Sequence, residues 1–199
     1  MVGGRFALAM RRTVCGLFAV LACATQHPLA ATLEVRLGPC LACHGENGQS
    51  TTPETPSLGA QTAPYLLIQI FLFRVKLRTF EIMNDAVAGL SDADLSAFAD
   101  AIAKLPAPQP PADGADAARL GRGRDLVHKY RCDFCHSADL AGRDNVPRIA
   151  TQRDDFLVKT LREYKSSVRP GYDASMADVL QPVTDAEIAD LAYFASRQP

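Results

Sequence analysis

The chain has 199 residues, of which 48% are hydrophobic, and a formal net charge of −1. That length accommodates one or two small domains. The balanced charge excludes the basic excess of a nucleic-acid binder.

In chain order, the first segment is "MVGGRFALAMRRTVCGLFAVLACATQHPLAA", with Arg5, Arg11 and Arg12 ahead of an uncharged stretch from Val14 to Ala24. A basic start, an apolar middle and small residues at the end make residues 1–30 a signal peptide, cleaved after Ala24 or Ala30. The stretch falls short of the roughly 20 residues needed to span a bilayer. The Arg11-Arg12 pair and "VLAC" ending at Cys23 leave two alternatives, twin-arginine export and lipid attachment. Beyond Ala30 remain 18 basic and 22 acidic side chains, four cysteines, two methionines and three histidines. All four cysteines lie in two C-x-x-C-H motifs, Cys40, Cys43 and His44, then Cys132, Cys135 and His136.

The chain after the leader reads as two copies of one unit. "TPSLGAQTAPYLLIQIFLFRVKLR" lies over "VPRIATQRDDFLVKTLREYKSSVR" so that Pro56 meets Pro147, Gln61 meets Gln152 and Arg78 meets Arg169, each 91 apart. "MNDAVAGLSDADLSAFADAIA" lies over "MADVLQPVTDAEIADLAYFAS", and Met83 meets Met176. Each copy has a helix leading into its cysteines, clearer in "GRDLVHKYRC" than in "LEVRLGPC". A second helix follows, with Leu66, Ile70, Phe73 and Leu77 at helical spacing, matched by Leu157, Leu161, Tyr164 and Val168. The last helix opens on a capping box, Ser91 with Asp94 and Thr184 with Glu187. Its inward face is Leu95, Phe98, Ala99 and Ile102, matched by Ile188, Leu191, Ala192 and Ala195. No alternating run competes, so the class is all-α. The prolines of "LPAPQPPADGADAA" make 106–116 an extended connector between domains at 31–105 and 117–199. At about 80 residues each, such domains have marginal side-chain cores and gain from a covalent cofactor.

C-x-x-C-H is the attachment site of c-type haem, with two thioethers to the cysteines and the histidine as axial ligand. Zinc is the competing reading, but ribbon-type pairs lie some 15–20 residues apart, not a whole domain, and zinc leaves the histidines idle. A disulfide within C-x-x-C closes a two-residue loop, stabilises little and also leaves the histidine unexplained. Thioredoxin-like chemistry lacks its βαβ surroundings. A lone methionine is commonly core filler. Met83 and Met176, the only two of the mature chain, sit 39 and 40 residues after His44 and His136, and the match favours a second axial ligand. An axial histidine also needs an acceptor for its other ring nitrogen. Pro56 and Pro147 follow the two histidines by 12 and 11 residues, both in a P-x-[L/I]-x-x-Q pattern.

"CLACHGENG", "TPSLGAQTAPYL" and "MNDAVAGLSDADL", with their second-half counterparts, resemble the class I cytochromes c, and the tandem exported arrangement most resembles the di-haem cytochrome c-four type. The resemblance covers nearly all of the mature chain. It implies two small helical domains, His/Met ligation of both irons through His44, Met83, His136 and Met176, and carbonyls of Pro56 and Pro147 accepting from the ligand histidines. Two departures are the weak glycine-and-aromatic helix before Cys40 and the missing glycine before Arg78.

The expectation is therefore a periplasmic cytochrome with two covalent haem c groups and no catalytic residue, carrying electrons from a donor to a terminal oxidase or other acceptor. The alternatives are the cytochrome subunit of a dehydrogenase oxidising, for example, sulfide or an alcohol, with a membrane-associated or dehydrogenase partner, and a haem enzyme or gas sensor with a labile methionine. Around the second motif Arg119, Arg122, Arg124, Lys129 and Arg131 face only Asp125, either a collar steering an acidic partner or a solvated helix face. "YLLIQIFLF", apolar nearly all round, expects burial on every side, by the other domain, by a partner or by a deep haem-side core.

Overall fold

Why a chain this rich in helical periodicity folds as two similar lobes is seen in a computed structural model that describes residues 1, 32–169 and 174–199. Apart from Met1, the expected signal peptide with its cleavage sites lies outside those residues. In the first copy stand α1 (Leu33–His44), α2 (Ala63–Arg74), α3 (Glu81–Val87) and α4 (Asp92–Ala103). In the second stand α5 (Ala117–Lys129), α6 (Cys132–His136), α7 (Asp154–Lys165), α8 (Ser175–Leu180) and α9 (Asp185–Arg197). Among the described residues the one β feature is an isolated bridge between Arg143 and Val146, so the class is all-α as expected.

Both last helices start as their sequences require. The Ser91 and Thr184 hydroxyls accept from the amides of Asp94 and Glu187, whose carboxylates accept from the cap amides in return. All eight residues of the expected inward faces of α4 and α9 are buried. The second helices are shorter than their periodicity suggests. They stop at Arg74 and Lys165, and the chain reverses at Lys76 and Ser167, with φ of 58° and 57°. Leu77 and Val168 thus fall beyond the helices and are 63% and 72% exposed. The helices α3 and α8, at seven and six residues, are too short to leave a periodic trace in sequence.

The expectation that α2 is buried on every side is corrected. Leu66, Gln69 and Phe73 face inward, while Phe71 and Val75 just after the helix are each 42% exposed. A helix on the surface of so small a lobe has one neighbour face to bury against, whatever its composition.

The copies differ most in their leading helices. In α5, Gly123 lies against Phe194, and a Cβ there would stand 2.6 Å from the Asp190 carbonyl oxygen, so α5 and α9 cross almost backbone to backbone. In α1 the helix starts only seven residues before Cys40, and a polar contact joins the packing of buried Leu37 with Phe98, Ala99 and Ile102 of α4. Arg36 pairs with Asp94 at 2.7 Å and lies over the Phe98 ring at 5.2 Å.

The two copies make one compact unit. Arg153 Nη1 donates to the Ser50 carbonyl at 3.1 Å, Glu54 N–H donates to Asp155 at 3.0 Å, and Lys159 pairs with Glu54 at 2.8 Å. The stretch 106–116 is non-helical and tied at both ends, through Gln109 to Gln49 and through the Asp116 amide to the Tyr193 hydroxyl.

Candidate functional site

Cys40, Cys43 and His44 form the last turn of α1, where i, i+3 and i+4 spacing sets all three on one side of the helix. The chain must then turn sharply. Gly45 does so at φ 89°, where any Cβ would collide with the Gln49 carbonyl. In the second copy the motif is its own short helix, α6, set off from α5 by Arg131 at φ 56°, and Ser137 takes the glycine's place at φ 71°. Beyond the turn, the Gly48 carbonyl accepts from Leu58 and Gly59, and the Leu140 carbonyl accepts in the same way from Ile149 and Ala150. These knots bring each proline back to its histidine.

The result is one geometry made twice. His44 Nδ1 is 2.8 Å from the Pro56 carbonyl, and His136 Nδ1 is 2.8 Å from the Pro147 carbonyl. A carbonyl only accepts, so Nδ1 carries the proton and Nε2 keeps its lone pair. Both rings are buried, 7% and 5% exposed, and burial pushes their pKa down, partly opposed by the carbonyl bond. Each is therefore a neutral imidazole aimed by a fixed acceptor, the form in which histidine binds a metal. The four motif cysteines are not joined in disulfides. Burial raises the pKa of Cys40 and pushes that of Cys132 up to about 11. No three His, Cys, Asp or Glu side chains converge among the described residues, which leaves the zinc reading without a site.

Met83 and Met176 sit half-buried in α3 and α8. Their supports differ. Buried Asn84, next to Met83, donates to the carbonyls of Phe73 at 2.6 Å and Arg78 at 2.9 Å and accepts from the Phe80 amide. In the second copy Lys165 Nζ donates to the carbonyls of Gln181 and Val183, just after α8, at 2.9 and 2.6 Å. Nothing in the local sequence marked either residue, since their acceptors are backbone oxygens up to 18 positions away.

A haem adds an apolar macrocycle and two carboxylates, and the residues here fit both. Leu77, Phe80 and Ile82 in the first copy, and Phe134, Val168 and Val179 in the second, offer exposed apolar side chains close in sequence to the motif or the methionine. Where the copies meet, two buried guanidiniums come close together. Burial, then the nearby charge of Arg169, holds Arg78 down to about 10. Arg169, 6% exposed, has Glu163 at 3.9 Å as its one carboxylate partner among the described residues. Arg148, which directly follows Pro147, keeps a buried Nε with no hydrogen-bond partner.

The steering collar is corrected in part. Arg119 and Arg122 both bind Asp190, at 3.1 and 2.7 Å, and Lys129 binds Glu187 at 2.7 Å. These bonds clamp α5 to α9, using acids some 60 to 70 residues further along that a local charge count overlooks. Arg124 and Arg131 remain exposed, the latter over the Phe134 ring at 5.0 Å.

No family model matches the chain. It is similar to cytochrome c4 of Thiocapsa roseopersicina, 29% identical over 165 residues, covering 79% of this chain and 85% of that protein. Cytochrome c-554(548) of Halomonas halodenitrificans is 38% identical over 73 residues, 35% of this chain and 88% of its own. The thiosulfate dehydrogenase electron acceptor of Thiomonas intermedia (strain K12) is 28% identical over 170 residues, 80% of this chain and 78% of that protein. Reduced recombinant cytochrome c4 from Pseudomonas stutzeri shares the fold, with a TM-score of 0.76 at 23% identity over 84% of this chain and 97% of that one. Two all-α lobes, each with a pair of unbridged cysteines beside a carbonyl-held imidazole, define a c-type cytochrome of two domains. The chain belongs to the di-haem class I cytochromes c of the c4 type and carries two covalently bound haem c groups. It is an electron-transfer protein that works with redox partners.

Proposed function

We propose that each iron is held between a histidine and a methionine, His44 with Met83 and His136 with Met176, with Pro56 and Pro147 as the acceptors behind the histidines. The domains are 31–105 and 117–199, joined by 106–116, and residues 1–30 direct export to the periplasm. The observation that carries the ligand reading is the pair of 2.8 Å bonds from the two Nδ1 atoms to proline carbonyls, repeated where the sequence repeats.

When bound, haem supplies a one-electron ferric/ferrous couple. The protein's part is positional. Cys40, Cys43, Cys132 and Cys135 tether the group, the two buried imidazoles present Nε2 lone pairs, and the proline carbonyls stop either ring from turning. Met83 and Met176 would hold the iron through thioether sulfur, which would favour the ferrous state and suit outer-sphere transfer to a high-potential acceptor. Arg78 and Arg169 supply positive charge for carboxylates where the lobes meet.

The partners are a respiratory donor and a terminal oxidase or other acceptor. A second reading, in which the donor is a sulfur-compound dehydrogenase, is favoured by the likeness to the thiosulfate dehydrogenase electron acceptor. The test is a pyridine haemochrome count on protein matured with haem, together with the near-red sulfur-to-iron charge-transfer band of the oxidised form. Two haems per chain and a full band are expected. Loss of half the band in each of Met83→Ala and Met176→Ala completes the expectation. A wild-type band at half strength overturns the ligand set. A stable complex with a dehydrogenase in size-exclusion chromatography favours the second reading over a free shuttle.

A further inference from the structure

Gln61 and Gln152, equivalent in the duplication and 5% and 6% exposed, reach across to the other copy. Gln152 Oε1 accepts from Ser57 N–H at 2.7 Å, and its Nε2 donates to the Ser57 carbonyl at 2.8 Å. Gln61 Oε1 accepts from Arg148 N–H at 2.7 Å, and its Nε2 donates to the Arg148 carbonyl at 3.0 Å. Ser57 and Arg148 are the residues directly after Pro56 and Pro147. One peptide group therefore holds both bonds. Its oxygen accepts from the imidazole of its own copy, and its N–H donates to the glutamine of the other. The chain runs His44 Nδ1–H to Pro56 C=O, then Ser57 N–H to Gln152 Oε1, and its mirror image runs from His136 to Gln61.

We infer that each glutamine is a positioning residue for the other copy's histidine, setting how strongly that imidazole donates to its iron. The inference rests on His44 and His136 being axial ligands, as proposed above. A peptide whose N–H is bonded is polarised, so its carbonyl becomes a better acceptor, and in a dry interior such bonds strengthen one another. A stronger pull on Nδ1–H makes Nε2 more basic, favours ferric iron and lowers the potential. Gln152, in the second copy, thus lowers the potential of the first haem, and Gln61 that of the second. The bidentate grip also fixes the plane of each peptide, so the two histidines are aimed against a common reference.

The experiment uses the mature di-haem protein and the variants Gln152→Met and Gln61→Met, which keep side-chain volume and lose both bonds. Each haem is followed through a redox titration by its own hyperfine-shifted NMR resonances. Amide exchange at Ser57 and Arg148 reports the bonds independently of redox behaviour. Gln152→Met is expected to speed exchange at Ser57 and to raise the first haem's potential. The shift corresponds to about a threefold change in its ferric-to-ferrous ratio at fixed ambient potential, roughly 28 mV at 59 mV per tenfold, with the second haem moving far less. Gln61→Met is expected to do the converse. Gln152→Glu, which keeps the acceptor, is expected not to raise the potential. Faster exchange at Ser57 with both potentials unmoved, or moved equally, overturns the inference while ligation stands. Wild-type spectra without hyperfine-shifted ring protons from two imidazoles overturn the ligand reading, and this inference with it.

Discussion

Asn84 shows what a single buried amide does for a ligand loop. Its three hydrogen bonds join the end of α2, the turn at Arg78 and the start of α3, and Met83 is its neighbour. Replacing it with alanine removes the partner of the Arg78 carbonyl and of the Phe80 amide, while the Phe73 carbonyl keeps the Lys76 amide at 3.1 Å, a cost of about 1–3 kcal/mol. Asn84→Ala is expected to lower the denaturant midpoint at which half of the near-red band disappears and to leave the other half in place. Simultaneous loss of the whole band would show that the two methionine loops melt together. The second copy has Ala177 near the matching place and relies on Lys165 instead, so the halves are expected to differ in how easily their methionines are displaced.

At the scale of elements, the α5–α9 crossing depends on Gly123. Gly121, two residues earlier on the same helix, has nothing within 4 Å of a built Cβ. Gly121→Ala is expected to stabilise by about 0.5–1 kcal/mol through helix propensity alone. Gly123→Ala is expected to destabilise by about 1–3 kcal/mol, because the methyl meets α9 backbone that cannot move aside. Equal urea midpoints for the two variants would contradict the close crossing. The capping carboxylate of α9 adds a pH dependence. The Lys129 ammonium, then the Thr184 amide, holds Glu187 down to about 2. A depressed folded-state pKa stabilises above the ordinary carboxylate range and loses that contribution as pH falls toward 2. Asp94, held low first by Arg36, acts in the same direction in the first copy. Stability should fall between about pH 4 and pH 2, and less steeply in Glu187→Gln, as read from urea midpoints across that range.

For the whole molecule, the charges of the second lobe divide into those that hold helices together and those that face outward. Arg122 belongs to the first kind through Asp190, and Arg124 to the second. Arg122→Glu is expected to lower the unfolding midpoint. Arg124→Glu is expected to leave the midpoint alone and slow electron transfer with an acidic partner at low ionic strength, with the difference vanishing as salt screens it. An unchanged salt dependence for Arg124→Glu would exclude this surface from docking. The lobes themselves are joined by polar contacts made mostly with backbone. These are directional, and they favour one relative setting of the two sites over a sliding apolar contact.

The haem chemistry, the duplication and the helical class were legible in the sequence because each is local or periodic. C-x-x-C-H occupies five consecutive positions, a capping box spans four residues, and the buried faces of α4 and α9 repeat every three or four. The copies could be laid over each other residue by residue, so Gln61 and Gln152 were visible as a matched pair. Their partners were not, because a glutamine's choice of a peptide 87 or 95 positions away depends on how two lobes meet. The left-handed turns at Lys76 and Ser167 that shorten α2 and α7, the acids that absorb most of the basic collar, and the carbonyls held by Asn84 and Lys165 were hidden for the same reason. What a residue can donate or accept is a property of its type, whereas which group stands within 3 Å of it exists only once the chain has folded.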